Sequence, residues 1–295
     1  MQTASARLLA EPVHVIGAGR SGSALCRALL AQGIPVVPVV RNAARLPADI
    51  AALSLPPRLA DLTGPEAALR EALAGARYVI STAHASHIPA ILQATAPQTA
   101  IIGLGSTRKF TRWPDAHGNG VKRGEAALLA SGRAGVLLHP TMIYGSEGEN
   151  NVRRLAALLR KLPVAPLPGG GRALVQPIHQ NDVTRCLLAA LALAQSGALT
   201  GPQSLVIAGP EPMAYRDFAK AVARAAGLNM PPVVPLPASL LMAALPLLRL
   251  LPGLPKIGPG ELRRLLEDKA FDIGPMVKTL SVTPIPLETG LSEMF

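Results

Sequence analysis

Three glycines carry the clearest chemistry in the chain. Gly17-Ala18-Gly19-Arg20-Ser21-Gly22 follows an apolar run, residues 13–16, and opens a segment of helical pattern, residues 23–32. There Gly17 permits a tight strand-to-helix turn. Gly19 lets the backbone approach a pyrophosphate at the positive end of the helix, and Gly22 lets helix and strand pack closely. The spacing alone is a weak signal; between a strand and a helix it is a strong one. All six residues, Gly17, Ala18, Gly19, Arg20, Ser21 and Gly22, are therefore candidate dinucleotide ligands. The second strand, residues 35–40, is followed by Arg41-Asn42 and not by the carboxylate that binds a ribose 2′-hydroxyl. Two guanidinium groups, Arg20 and Arg41, suit a 2′-phosphate, so NADP(H) is expected over NAD(H).

Such a loop needs a particular frame. Short apolar runs at residues 13–16, 35–40, 58–62, 78–82, 100–104 and 135–138 read as strands. Helix-like segments at 23–32, 65–74, 87–94 and 122–131 lie between them. This alternation predicts an α/β fold, a Rossmann doubly wound parallel sheet with its ligand at the carboxyl ends of the strands. The later chain is less regular. Residues 151–162 form a basic amphipathic pattern, Asp182 is placed to cap a helix over 183–194, and residues 205–208 read as a strand returning to the sheet. Helices are expected at 215–226 and 259–269. The expected division is a core of residues 1–145 completed by 173–209, with 146–172 and 210–295 in a smaller C-terminal substrate lobe.

Composition narrows the classes of function. With 49% hydrophobic and 16% charged residues among 295, a packed core is expected and disorder is not. Cys26 and Cys186 lie in apolar periodic segments and read as buried free thiols, which fits a reducing cytoplasm. The net charge of +11 is scattered, and aromatics at 3% provide no stacking platform, so no nucleic-acid partner is expected. Residues 1–12 lack an apolar signal core. Residues 228–248 carry no charge, but prolines interrupt them. A helix there begins only near Ala238, is kinked at Pro246, and is too short to span a bilayer. It reads as a buried or lid helix, with peripheral membrane contact as the alternative. His84, His87 and His179 do not have metal-ligand spacing, so no metal is expected.

Several segments together resemble the extended or atypical short-chain dehydrogenases/reductases of the NAD-dependent epimerase/dehydratase type. Asp61-Leu62-Thr63 resembles the family's segment after the third strand, near adenine, and Val79-Ile80-Ser81-Thr82-Ala83 the fourth-strand end along the cofactor. Gly105-Ser106-Thr107 is similar to the serine-containing turn after the fifth strand. His139-Pro140-Thr141-Met142-Ile143-Tyr144-Gly145 resembles an Arg-Pro-x-x-Ile-Tyr-Gly segment that contacts the nicotinamide end, with histidine replacing arginine. Residues 167–171, 176–183, 268–272 and 284–291 extend the likeness over nearly the whole chain. The resemblance implies Asp61, Leu62, Thr82, Ala83 and Pro140 as further cofactor contacts, beside Arg41 and Asn42.

The departures are as informative. The glycine loop is one residue shorter than the family's usual form. The Tyr-x-x-x-Lys pair that moves a proton during hydride transfer is absent, since the residues four after Tyr78, Tyr144 and Tyr215 are Thr82, Gly148 and Ala219. Near the expected helix Lys122 stands four after Gly118; a one-residue shift brings His117 to the tyrosine's place and Val121 to the lysine's. One expectation is therefore an oxidoreductase or epimerase/dehydratase-like enzyme, acting on a carbonyl or a nucleotide sugar. In it Ser106 and Thr107 polarise a carbonyl, and His117 or Lys122 supplies the proton. The other is a non-catalytic NADP(H)-binding sensor or assembly protein. Tyr144 reads as a packing residue.

Overall fold

The computed structural model describes residues 11–145, 148, 151–237, 239–243 and 258–295. The helix expected from residue 238 across Pro246 lies largely outside them. The described residues divide into two compact units: those within 1–140, 180–207 and 273–283 form the first, and those within 141–179, 208–272 and 284–295 the second.

The first unit is a seven-stranded parallel sheet. Its strands are β1 (Val13–Ile16), β2 (Val36–Val40), β3 (Arg58–Leu59), β4 (Tyr78–Ser81), β5 (Ala100–Leu104), β6 (Gly135–Pro140) and β11 (Pro202–Ile207). They lie in the order β11-β6-β5-β4-β1-β2-β3. The helices between and after them are α1 (Arg20–Ala31), α2 (Ala48–Leu53), α3 (Glu66–Ala72), α4 (Ile88–Ala94), α5 (Ala116–Ala130), α7 (Gln180–Gln195) and α10 (Gly274–Leu280). The central runs are β-branched and buried on both faces, as a helix-covered parallel sheet requires. Pro38 interrupts β2 without cost to the ladder. The Val36 and Val40 carbonyls accept from Leu55 and Ala60, so this parity of residues faces away from β1, and β3 pairs only from Val39 onward. The chain runs β1, β2, β3 to one side and β4, β5, β6, β11 to the other. This leaves a switch point between β1 and β4, where ligands of open α/β sheets bind.

Several boundaries differ from expectation. α5 begins six residues earlier than the expected residue 122, with Asp115 as its N-cap. Asp182 lies inside the first turn of α7 and does not cap it, because that helix starts at Gln180. Residues 273–283 return to the first unit, and α9 (Pro259–Arg264) is shorter than the expected 259–269.

The second unit has three strand pairs: β7 (Ile143–Tyr144) with β10 (Ile178–His179), β8 (Ala165–Pro168) with β13 (Val233–Leu236), and β9 (Leu174–Val175) with β12 (Met213–Ala214). Helices α6 (Asn151–Lys161), α8 (Tyr215–Ala225), α9 and α11 (Leu287–Ser292) are among its described helices. Tyr144 is fully buried among Val152, Phe218, Val222 and Leu291, a packing residue as expected.

His14, in the middle of β1, is 2% exposed, and neither ring nitrogen has a hydrogen-bond partner. Burial, assisted by the charge of Arg58, lowers its pKa from 6.5 to about 4. The unfolded chain therefore binds a proton that the native state refuses, and stability falls as pH drops from 6.5 toward 4. The loss by pH 4 is expected to be about 2–3 kcal/mol. His14→Val should remove that part of the acid sensitivity, read from denaturant midpoints at pH 7 and pH 4.5. Equal acid losses in the two proteins would contradict it.

Candidate cofactor and active site

The glycine loop joins β1 to α1 at the switch point. Gly17 takes a φ of +91°, which only glycine adopts readily. A Cβ on Gly22 would overlap the Gly17 carbonyl oxygen and lie 2.7 Å from Thr82 Oγ1. Gly19 differs: a Cβ there would meet no atom within 4 Å. Gly19 is also the N-cap of α1, with no side-chain capping bond and no acidic residue in the first turn. The helix thus presents unsatisfied N–H groups and its positive end beside open space, which is what a pyrophosphate requires. The residues present fit a dinucleotide.

Neighbouring side chains hold this loop. Thr82 donates its hydroxyl toward the Ile16 and Gly17 carbonyls at 3.1 and 3.2 Å, and Ala83 follows it beside Gly17. Ser23 Oγ donates to the Ala18 carbonyl at 3.0 Å. Ser21 Oγ donates to Gln180 Oε1 at 2.9 Å, tying the loop to the start of α7. Gln180 was not among the expected site residues, because 159 positions separate it from Ser21 and no local pattern links them.

Arg20 and Arg41 are exposed. Asn42 caps the turn Ala43–Arg45, its Oδ1 accepting from Ala44 N–H. Asp61 Oδ1 accepts from the N–H and hydroxyl of Thr63, which holds its carboxyl below the usual range, and the Arg41 charge adds to this. A carboxylate therefore does stand near Arg41. It arrives from the loop after β3, beside β2 in the sheet, and not from the residues that follow Arg41. Leu62 packs on the core beneath.

The turn after β5 is fixed differently. Ser106 Oγ accepts from Arg108 N–H at 3.1 Å, leaving its own O–H to donate. Thr107 is buried and donates to the Pro140 carbonyl at 3.1 Å, so its hydroxyl is committed to the fold. Fully buried His139 accepts at Nδ1 from Ser106 N–H at 3.2 Å, and its Nε2 lies 3.1 Å from Ser204 Oγ and 3.4 Å from Glu125 Oε1. Glu125 also meets Lys109 and Ser204. Burial foremost, then the charge of Lys109, keeps His139 well below its ordinary pKa.

Helix α5 carries the remaining candidates. Its glycines let it lie against both turns. A Cβ on Gly118 would approach the Arg108 carbonyl oxygen at 2.8 Å, one on Gly120 the ring of His84 at 2.6 Å, and one on Gly124 would overlap the Ala85 carbonyl oxygen. His117 is exposed on this helix, with its ring centroid 4.3 Å from that of His84. Lys122 is exposed five residues on, about 140° around the helix from His117 at 3.6 residues per turn. Among the described residues no group of three or more His, Cys, Asp or Glu could hold a metal ion, and no helix is long and apolar enough to cross a membrane. Cys26 and Cys186 are buried free thiols, pushed up to about 12 by burial.

Residues 17–123 match the model of the NAD(P)H-binding family. No curated protein matches the chain. Among solved structures, an NADPH-dependent quinone oxidoreductase from Escherichia coli, in complex with NADPH, is 22% identical. The alignment covers 96% of this chain and 99% of that one, with a TM-score of 0.73. A nucleoside-diphosphate-sugar epimerase from Staphylococcus aureus is 19% identical over 95% and 99% of the two chains, with a TM-score of 0.71. MoeE5, in complex with UDP-glucuronic acid and NAD, is 18% identical over 96% and 97%, also at 0.71. The fold is thus Rossmann-like, shared with these epimerase and oxidoreductase structures.

Proposed function

We propose that the chain is an NADP(H)-dependent oxidoreductase that reduces or oxidises a small carbonyl, quinone or nucleotide-sugar substrate. The observation that carries this reading is the uncapped N-terminus of α1 beside Gly19, whose missing side chain faces open space at the switch point. NADPH, when bound, supplies a hydride. Arg41 and Arg20 attract the 2′-phosphate, and Asp61, Leu62 and Asn42 border the adenosine end. Thr82, Ala83 and Pro140 border the remainder. Of the two hydroxyls after β5, Ser106 is the one free to donate to a substrate oxygen, since Thr107 is bonded to Pro140. His117 is favoured over Lys122 as proton donor because its ring lies against the loop after β4, on the side of α5 that packs over the strand ends. The buried thiols suit the cytoplasm.

A second reading, a non-catalytic NADP(H) sensor or assembly protein, is favoured by the missing Tyr-x-x-x-Lys pair. The two are separated by following NADPH oxidation with 1,4-benzoquinone, small aldehydes and ketones, and UDP-sugars. Turnover above the protein-free rate with any of them supports the enzyme; tight NADPH binding without turnover supports the sensor. Arg41→Ala is expected to weaken NADPH binding at least about tenfold, the size of a lost charge-assisted contact, and to leave NADH binding within twofold. An unchanged NADPH affinity would contradict the 2′-phosphate assignment.

A further inference from the structure

His84 and His117 come from elements 33 positions apart and meet edge to face, with centroids 4.3 Å apart and planes at 71°. The contact is built. His84 opens the turn Ala85–His87, and its Nδ1 accepts from Ser86 N–H at 3.2 Å with Ser86 Oγ at 2.8 Å. Nδ1 is therefore the acceptor, and the neutral ring carries its proton on Nε2. Gly120 makes room for the ring, and Gly124 seats α5 directly on the Ala85 carbonyl. His84 lies two residues beyond Thr82, which is bonded to the glycine loop. The pair therefore stands at the carboxyl end of β4, beside the switch point.

We propose that His84 is a positioning residue whose neutral ring holds His117 in place and favours its protonated form. This rests on the oxidoreductase reading above. In the step it serves, hydride from NADPH forms the new C–H bond at a substrate carbonyl carbon, or reduces a quinone. The carbonyl π electrons move to oxygen, which takes the proton as an N–H bond of His117 breaks. NADPH is oxidised, the carbonyl or quinone is reduced, and exposed His117 regains a proton from water. The face of a neutral ring stabilises a cation against it, whereas a charged His84 would repel one. The surroundings keep His84 neutral. Burial lowers its pKa most, followed by the charge of His87 on the same turn; the His117 backbone acts against them, and Arg123 on α5 and Arg108 after β5 act in the same direction as burial, so the net shift is downward. Asp115, the N-cap of α5, is the acidic group near His117.

The test is a proton NMR titration of the His117 C2–H signal, assigned by its loss in His117→Gln. His84→Ala is expected to lower the His117 midpoint by at least half a pH unit. His84→Phe keeps a neutral ring and should restore it to within 0.2. In steady-state turnover of 1,4-benzoquinone, the alkaline limb of kcat should move down by the same amount in His84→Ala, with the Kd for NADPH within twofold of wild type. An unmoved midpoint in His84→Ala, or a midpoint equally lowered in His84→Phe, overturns the pair while leaving the cofactor reading intact. Failure of the wild-type protein to bind NADPH overturns the oxidoreductase reading itself, whatever the titration gives.

Discussion

Gly19→Ala is expected to leave the thermal midpoint of the apoprotein within about 2 °C of wild type, the shift that a change near 1 kcal/mol produces in a chain of this size, and to weaken NADPH binding at least about tenfold. The added methyl group meets no protein atom within 4 Å, and φ at this position is an ordinary −73°. Nothing in the fold resists it. The same methyl group occupies the space in front of the α1 N–H groups, where a pyrophosphate must approach the backbone. Losing one or two charge-assisted hydrogen bonds there is worth about 1.5–3 kcal/mol each. Gly22→Ala makes the contrast, because its methyl group would overlap the Gly17 carbonyl oxygen. That variant should lose both stability and binding, with overpacking of this kind costing about 1–3 kcal/mol. Thermal melts with and without NADPH, together with NADPH fluorescence titrations, separate the two. A Gly19→Ala protein that binds NADPH normally would show that the open space before α1 is not the cofactor seat.

Glu125→Ala is expected to destabilise the protein by about 3–5 kcal/mol, the cost of leaving a buried charge without its partner. Lys109 and Glu125 side chains are 10% and 16% exposed. Burial by itself would push the Glu125 carboxyl up, but the hydrogen bonds from Lys109 and Ser204 hold it below the usual carboxylate range. Removing the carboxylate leaves the Lys109 ammonium and the Ser204 hydroxyl without their acceptor, and it removes the group that offsets the unfavourable field of Lys109 at His139. Because His139 Nδ1 anchors Ser106 N–H, the turn carrying the candidate hydroxyl should loosen with it. The double variant Glu125→Leu/Lys109→Met removes both charges and should recover most of the loss. Urea unfolding of the wild type and both variants measures this. A Glu125→Ala protein within 1 kcal/mol of wild type would show that the pair is effectively solvated.

The central frame was legible because it is written locally. Residues 13–16, 36–40 and 100–104 are apolar, β-branched runs whose ends fall within a residue of the observed strands. The glycine loop is legible for the same reason: its three constraints sit within six residues. The start of α5 was not, because Gly118 and Gly120 argue against helix by propensity. They are there because Arg108 and His84 press on the helix backbone, a reason that lies 10 and 36 residues away in sequence. The His84–His117 contact and the His139–Glu125–Lys109–Ser204 cluster were hidden likewise. Each joins residues from different strand ends, and single-residue types such as a lone lysine or histidine give no spacing to read. Thr107 looked like a chemical group beside Ser106, and only the Pro140 carbonyl distinguishes their roles.

NADP(H) binding at the head of α1 is read from a fluorescence titration of the full chain with NADPH and with NADH. One NADPH is expected per chain, with NADH binding at least about tenfold weaker, as one lost 2′-phosphate contact of about 1.5–3 kcal/mol requires. Equal affinity for the two would contradict the roles of Arg20 and Arg41, and no binding of either would contradict the site itself.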